Sequence, residues 1–341
     1  MIRLLLLILL IFSLRFGSIF SQTPETANIL FYNVENLFNP EKNAENPDDE
    51  FLPDGPRYWT HSRKNEKQIN ISRVILFSGK WNPPVIVGLC EVEDREVLDG
   101  LIWKTGLGRF NYSVVHFESP DRRGIDVALL YRRDRFRVLN AFPVAVEMSE
   151  NSRPTRDILY VSGVLDNSDT LHIMVNHWPS RWGGEGTTRP KRLIAAKTLK
   201  NICDSILSEA ADSKIIVMGD FNDNPWDESM RLISRKLSEK RQGLVNLAYN
   251  IDGDVPGTIK HRHEWSCFDQ ILVSESLLKP LNNNYAVSDS VMHIVTAPFL
   301  LEDDPDYPGS RPFRTYAGYN YLGGFSDHLP VMIELKKMAV K

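Results

Sequence analysis

The chain has 341 residues, 42% hydrophobic and 25% charged, a balance that allows a sizeable core and excludes a disordered or fibrous protein. Forty Lys and Arg stand against 44 Asp and Glu, a net charge of −4, so bulk charge does not attract a polyanion and any nucleic-acid contact needs a local basic face or bound cations. The three cysteines, Cys90, Cys203 and Cys267, are odd in number and widely spaced, which excludes a disulfide framework and a zinc pattern and leaves buried free thiols.

At the start, Met1-Ile2-Arg3 and the apolar run Leu4 to Phe12 lead to small residues around Ser18 and Ser21, the layout of a secretory signal peptide over residues 1–21. The alternative is an uncleaved anchor, but the run is short for a span and no later segment is long and apolar enough to cross a bilayer. Residues 1–21 carry Arg3 and Arg15 and no acid, so cleavage leaves 38 basic against 44 acidic residues, a net −6. The expectation is a secreted or periplasmic protein whose residues 22–341 form one domain, since no fixed-period repeat or low-complexity linker interrupts them.

From Asn28 an apolar strand reaches Asn33 at its end, followed by a polar loop from Asn39 to Trp59. Its Asp48-Asp49-Glu50 run lacks the spacing of a calcium loop and fits a solvated acidic face. The pattern from His61 to Ser78 predicts an amphipathic helix with Ile69, Ile71, Val74 and Ile75 inward and Lys64, Glu66 and Lys67 outward. Val85 to Glu91 is a second apolar strand ending in a carboxylate.

Strands follow at 111–117 and 124–131, joined by a turn at Arg122-Arg123-Gly124 and with Asp126 as an unexpected acid inside the second. Segments 132–146 and 156–165 continue an antiparallel rhythm, and Leu171 to Asn176 hands over to His177. Thr187 to Ala210 is a long helix with Pro190 in its first turn. Ile215 to Met218 is a buried strand that delivers Asp220 and Asn222 at its end, where open α/β sheets place ligand groups. An acid and an amide two residues apart suit metal-assisted chemistry: the carboxylate holds or activates water and the amide donates to an oxyanion. Asp227 to Leu237 predicts a short helix, Val255 to Val273 a hairpin carrying Asp269, and residues 300–324 a loop leading to Asp327, His328 and a last strand to Leu335.

Asn33, Glu91, His177, Asp220, Asn222, Asp269, Asp327 and His328 all fall at or just beyond a strand end, as in a site assembled on one rim of a sheet. For any one of them a capping or turn role is the ordinary alternative. Arg123 and Arg181 are weaker candidates for phosphate contacts, with Asp126 a candidate ion partner for either, and Tyr32, Trp178 and Trp182 are candidate stacking surfaces.

These segments, Tyr32-Asn33-Val34-Glu35-Asn36, Gly88-Leu89-Cys90-Glu91, Arg123-Gly124-Ile125-Asp126, Val175-Asn176-His177, Gly219-Asp220-Phe221-Asn222, Phe268-Asp269-Gln270-Ile271 and Ser326-Asp327-His328-Leu329-Pro330, in this order, resemble the endonuclease/exonuclease/phosphatase family. The resemblance implies a four-layer α-β-β-α sandwich of two packed mixed sheets that hydrolyses phosphate esters with Mg²⁺, or with Mn²⁺ or Ca²⁺ in its place. It implies Glu91 as principal metal ligand with Asn33 and Asp327, and His328 as general base steadied by Asp269, although the family differs internally on which group takes the proton. It further implies Asp220 orienting the nucleophile or a metal, and His177 and Asn222 steadying the transition state, with His177 a candidate donor to the leaving oxygen.

The substrate stays open between two classes. The first is nucleic acid cut by a secreted endonuclease, with Arg132, Arg133, Arg135 and Arg137 as a candidate basic ridge. The second is a small or lipid-headgroup phosphate ester, with Tyr316 to Phe325 as a candidate membrane hairpin. A binding protein that keeps the fold without catalysis ranks last, because none of the expected groups is missing, and no protein partner is inferred.

Overall fold

The computed structural model describes residues 26–42, 49–149, 152–166, 169–239, 243–279 and 284–338. The signal-peptide reading of residues 1–21, and Asp48 of the acidic run, lie outside the described residues. Ten principal strands carry the architecture: β1 (Thr26–Leu37), β2 (Ile86–Val92), β3 (Tyr112–His116), β4 (Asp126–Arg132), β5 (Phe136–Val144), β6 (Ile158–Leu165), β7 (Asp169–His177), β8 (Lys214–Asp220), β9 (Asp269–Val273) and β10 (Val331–Lys337). Four helices accompany them: α1 (His61–Ser78), α2 (Arg95–Trp103), α3 (Glu185–Glu209) and α4 (Glu228–Ile233).

The first sheet runs β10-β1-β2-β4-β3, with residues 251–252, 292–294 and 285–287 completing the β10 side; the second runs β5-β6-β7-β8-β9 and then 244–246 and 234–235. Both are mixed, because β1–β2 and β7–β8 are parallel while their neighbours are antiparallel. Helices α1 and α2 cover the outer face of the first sheet and α3 and α4 that of the second, so the expected four layers are present.

Alternation along β8 shows how the layers are built. Ile216 and Met218 join the core between the sheets, whereas Ile215 and Val217 pack with Ala196, Leu199 and Cys203 of α3. The same parity puts Asp220 on the face toward the other sheet, where the core gives way to the rim. Gly88 of β2 makes this face-to-face packing close: a Cβ there would stand 2.5 Å from Met218 Sδ.

Several expectations need correction. On α1, Ile71, Val74 and Ile75 are inward and Glu66 outward as expected, but Lys64 and Lys67 are buried and Ile69 is 55% exposed, because Lys67, Ile71, Val74 and Ser78 form the i, i+4, i+7 stripe against the sheet. The helix expected to Leu237 stops at Ile233, since Ser234 and Arg235 pair with Leu244 and Val245 as an edge strand. Only Ile259–His261 and Glu264–Ser266 form the hairpin expected over 255–273, and β9 pairs with β8 instead. Residues 300–324 contain two small hairpins, and α2, capped by the Asp94 side chain on Val97 N at 2.8 Å, was not anticipated.

Of the four candidate arginines on residues 132–137, Arg133 and Arg137 are exposed. Arg135 is buried against Asp166, and Arg132 pairs with Asp134. The three cysteines are free and buried, and burial holds all three thiols above their ordinary value, Cys203 up to about 12. Among the described residues no helix is long and apolar enough to cross a membrane.

Candidate active site

Strand register brings the singled-out residues together. In the second sheet Asp220 is the register partner of both His177 on parallel β7 and Asp269 on antiparallel β9. Ile173, Val175, Ile271 and Val273 face the core between the sheets, and alternation carries His177 and Asp269 onto that same face. Asn33 comes from β1 just before a bulge, beyond which Glu35 and Asn36 have φ of 52° and 58°. Glu91 sits in a second bulge of β2, at φ 63°, out of step with its ladder. Left-handed backbone at a carboxylate is uncommon and marks a side chain re-aimed by the bulge.

Hydrogen bonds hold these groups in fixed positions. Asp220 Oδ2 accepts from Asn33 Nδ2 at 3.0 Å and its Oδ1 from Asn222 N at 2.9 Å. Glu91 Oε2 accepts from Asn36 N at 3.0 Å. Asn222, at φ 53°, donates its amide to Trp178 O at 3.1 Å. His328 Nδ1 lies 2.7 Å from Asp269 Oδ2, and its Nε2 faces Asp220 Oδ2 at 3.8 Å. His177 Nε2 lies 3.6 Å from Asp220 Oδ2 and 3.8 Å from Glu91 Oε1, while its buried Nδ1 has no partner.

Electrostatics separate the titratable groups. Burial alone would lower the His328 imidazole, but the Asp269 and Asp220 carboxylates outweigh it and hold the ring well above its usual value. Burial, helped by Arg156, Arg123 and His328, keeps His177 neutral, well below the ordinary histidine range. Burial, with Asp269 and Glu91 adding to it against the pull of His328, pushes the Asp220 carboxyl up to about 7.

A group that the sequence reading placed outside lies behind this rim. Buried Lys67 donates to Phe325 O at 2.6 Å and to Thr315 Oγ1, and stands 4.0 Å from Glu35 Oε2. Glu35 accepts from Thr315 N at 2.6 Å, which fastens the loop before Asp327 to the β1 bulge. Burial and then Asp327 push Glu35 up to about 7, and burial brings Lys67 down to about 8. The stripe of α1 was the signal for Lys67. Arg156 was also missed: it donates to His177 O at 3.1 Å, Trp178 O at 2.6 Å and Asp121 Oδ2 at 2.9 Å, bracing the strand end.

Other candidates fall elsewhere. Arg181 is taken up by Asp223 (3.0 Å), Asp227 (2.5 Å) and Asn222 O (2.8 Å), so it braces the Asn222 loop and is not a free phosphate contact. Arg123 is exposed beside Asp121 at 3.6 Å. Asp126 pairs with His116 Nε2 at 3.2 Å rather than with an arginine. Tyr32 and Trp178 are buried and offer no stacking face, whereas Trp182 is 88% exposed. In the candidate membrane hairpin the Tyr316 ring lies under Arg57 and the Tyr321 ring under Arg63, while Tyr319 is 63% exposed.

The donor set fits a hard divalent cation. Glu35, Glu91, Asp220, Asp269 and Asp327 converge with Lys67 and His328 as the nearby cations, so carboxylates outnumber cations here and their mutual repulsion adds to burial in raising Asp220 and Glu35. Asp220, Asp269 and His328 bring ligand atoms within 4.8 Å of one another.

The sequence profile of the endonuclease/exonuclease/phosphatase family matches residues 28–337. Among solved structures, the human nocturnin catalytic domain with bound sulfate is similar at 16% identity and a TM-score of 0.55, covering 92% of this chain and 95% of that one. Bacteroides thetaiotaomicron mannosyl-6-phosphatase is similar at 15% identity and 0.57, covering 91% and 99%. Truncated Caenorhabditis elegans TDP2 is similar at 15% and 0.53, covering 91% and 97%. No curated protein sequence matches significantly.

Proposed function

The chain belongs to the endonuclease/exonuclease/phosphatase family, whose members are phosphoesterases that use divalent metal ions, and from that premise we propose that it is an exported, single-domain endonuclease hydrolysing nucleic-acid phosphodiester bonds. The observation that carries the catalytic part is the pair Asp220 and His328, whose environments drive their proton affinities in opposite senses to those usual for catalysis by a histidine base.

Asp220, near 7 and held by Asn33 and Asn222, takes the proton of the attacking water as that water's oxygen bonds to phosphorus and the ester bond to the leaving oxygen breaks. His328 stays an imidazolium clamped by Asp269 and gives its Nε2–H to a phosphate oxygen. This assigns the base role to Asp220 and leaves His328 the role of charge stabiliser. A neutral His177 carries one N–H, so it steadies the charge developing on the leaving oxygen, which departs as an oxyanion and takes its proton from solvent water. Glu91, with Asn33 and Asp327, would hold Mg²⁺ or a similar cation, which when bound supplies Lewis-acid polarisation of the phosphate and offsets its charge.

Nucleic acid is preferred as substrate because exposed indoles flank the site: Trp182 and Trp226, 88% and 60% exposed, stand on the loops that leave β7 and β8. A second reading, a phosphatase or phosphodiesterase on small esters, has the acidic chain in its favour and uses the same catalytic groups; one structurally similar protein is a mannosyl-6-phosphatase.

The test is to incubate the purified protein with supercoiled plasmid and Mg²⁺, with and without chelator, beside Asp220→Asn. Expected are chelator-sensitive nicking and at least a ~100-fold slower variant. An intact plasmid with folded, metal-bound protein would overturn the DNA endonuclease reading in favour of RNA or small esters.

A further inference from the structure

Beside the site lies a recess of about 680 Å³ that none of the assigned catalytic groups lines. Its wall joins the turn at Arg122 and Arg123, the segment around Arg153 and Thr155, the loop carrying Trp182, and the first turns of α3 at Lys191. The recess is next to the chemistry, since Arg156, also in its wall, donates to the carbonyl of His177, and Arg123 is close enough to depress that imidazole.

The lining is unbalanced in charge. Its two acids are already engaged, Asp121 with Arg156 at 2.9 Å and Glu50 with Arg57 at 2.9 Å. Arg122, Arg153 and Lys191 have no ion pair among the described residues. Thr155 is 5% exposed, and its hydroxyl has no hydrogen-bond partner. Helix α3 begins at Gly184 without a side-chain cap, so the positive end of a 25-residue helix adds to the same field. Cations, an unsatisfied hydroxyl and an exposed indole together suit a phosphate next to a flat ring.

We propose that this recess binds a second phosphate of the substrate, one nucleotide from the scissile ester, with the intervening base stacked on Trp182. The inference rests on the nucleic-acid reading above and makes it specific: the substrate is an oligonucleotide carrying at least two phosphates. It also answers the charge objection, because a net-negative chain needs only a local basic surface next to its site.

Two chromogenic diesters test it: thymidine 5′-(4-nitrophenyl phosphate) and the same compound with a 3′-phosphate. The expected result is a KM lower by about tenfold or more for the 3′-phosphorylated diester, worth about 1.4 kcal/mol. The double variant Arg153→Ala, Lys191→Ala collapses that ratio toward one, while Lys200→Ala, on an exposed part of α3, keeps it. Trp182→Ala raises KM for both diesters. Turnover of both with equal KM, or a ratio that survives the double variant, overturns the subsite alone. Cleavage of neither diester, with hydrolysis of 4-nitrophenyl phosphate, overturns the endonuclease reading and the subsite with it.

Discussion

Asp220 concentrates the energetic tension of the site, because a carboxylate buried beside Asp269 and Glu91 is costly to ionise. Between about 3.9, its unfolded value, and about 7 the folded chain holds a proton there that the unfolded chain releases. Metal-free stability therefore falls as pH rises through that window. A divalent cation relieves the same repulsion, so saturating Mg²⁺ is expected to raise Tm by a few degrees more at pH 8 than at pH 5, at roughly 2–4 °C per kcal/mol. Equal gains at the two pH values would show that the cation does not sit within reach of this carboxylate. His177 makes a separate prediction. Replacing it with Gln keeps a donor but loses the ring, and kcat is expected to drop by about 10²-fold with no shift in the basic limb of the pH–rate profile. Loss of that limb would return the leaving-group proton to His177.

At the level of elements, the parallel pair β7–β8 sets the spacing of His177 and Asp220, and Gly219 sets how close the two strand ends stand. A Cβ on Gly219 would stand 2.5 Å from Asn176 O, its register partner, and backbone cannot move aside as a flexible side chain can. Gly219→Ala is expected to cost about 1–3 kcal/mol in urea unfolding and to lower kcat through its effect on strand spacing. An unfolding midpoint and kcat like the parent's would mean that the strand ends are compliant. Much of this scaffold was legible in sequence because apolar runs ended abruptly in polar residues: β2 at Glu91, β7 at His177 and β8 at Asp220. Helix α1 matched residue for residue in extent, yet its lysines were misassigned because charge was given more weight than position on the helical stripe. Helix α2 had an Asp94 cap and apolar residues at 97, 98, 101 and 102, a signal present but unread. The hairpin and edge-strand errors have another cause. Whether residues 269–273 pair with 259–266 or with β8 depends on partners far apart in sequence, and local pattern carries no record of that choice.

For the molecule as a whole, the charge is negative while the recess beside the site is basic, so salt should act on substrate capture more than on chemistry. The one phosphate held in the recess by Arg122, Arg153 and Lys191 predicts a log–log slope of about −0.9 for duplex binding, a loss of roughly 3.5-fold between 50 and 200 mM salt. Measured KM for plasmid against NaCl checks this, and a flat dependence would remove the electrostatic contribution. The thiols have a practical bearing of another kind. Cys90, Cys203 and Cys267 are all shielded and held above the range in which thiolates react, so the folded protein should be inert to maleimides. A single cysteine introduced at the mouth of the recess would then accept a fluorophore at that place alone, giving an optical reporter of occupancy without first stripping the native cysteines from the core.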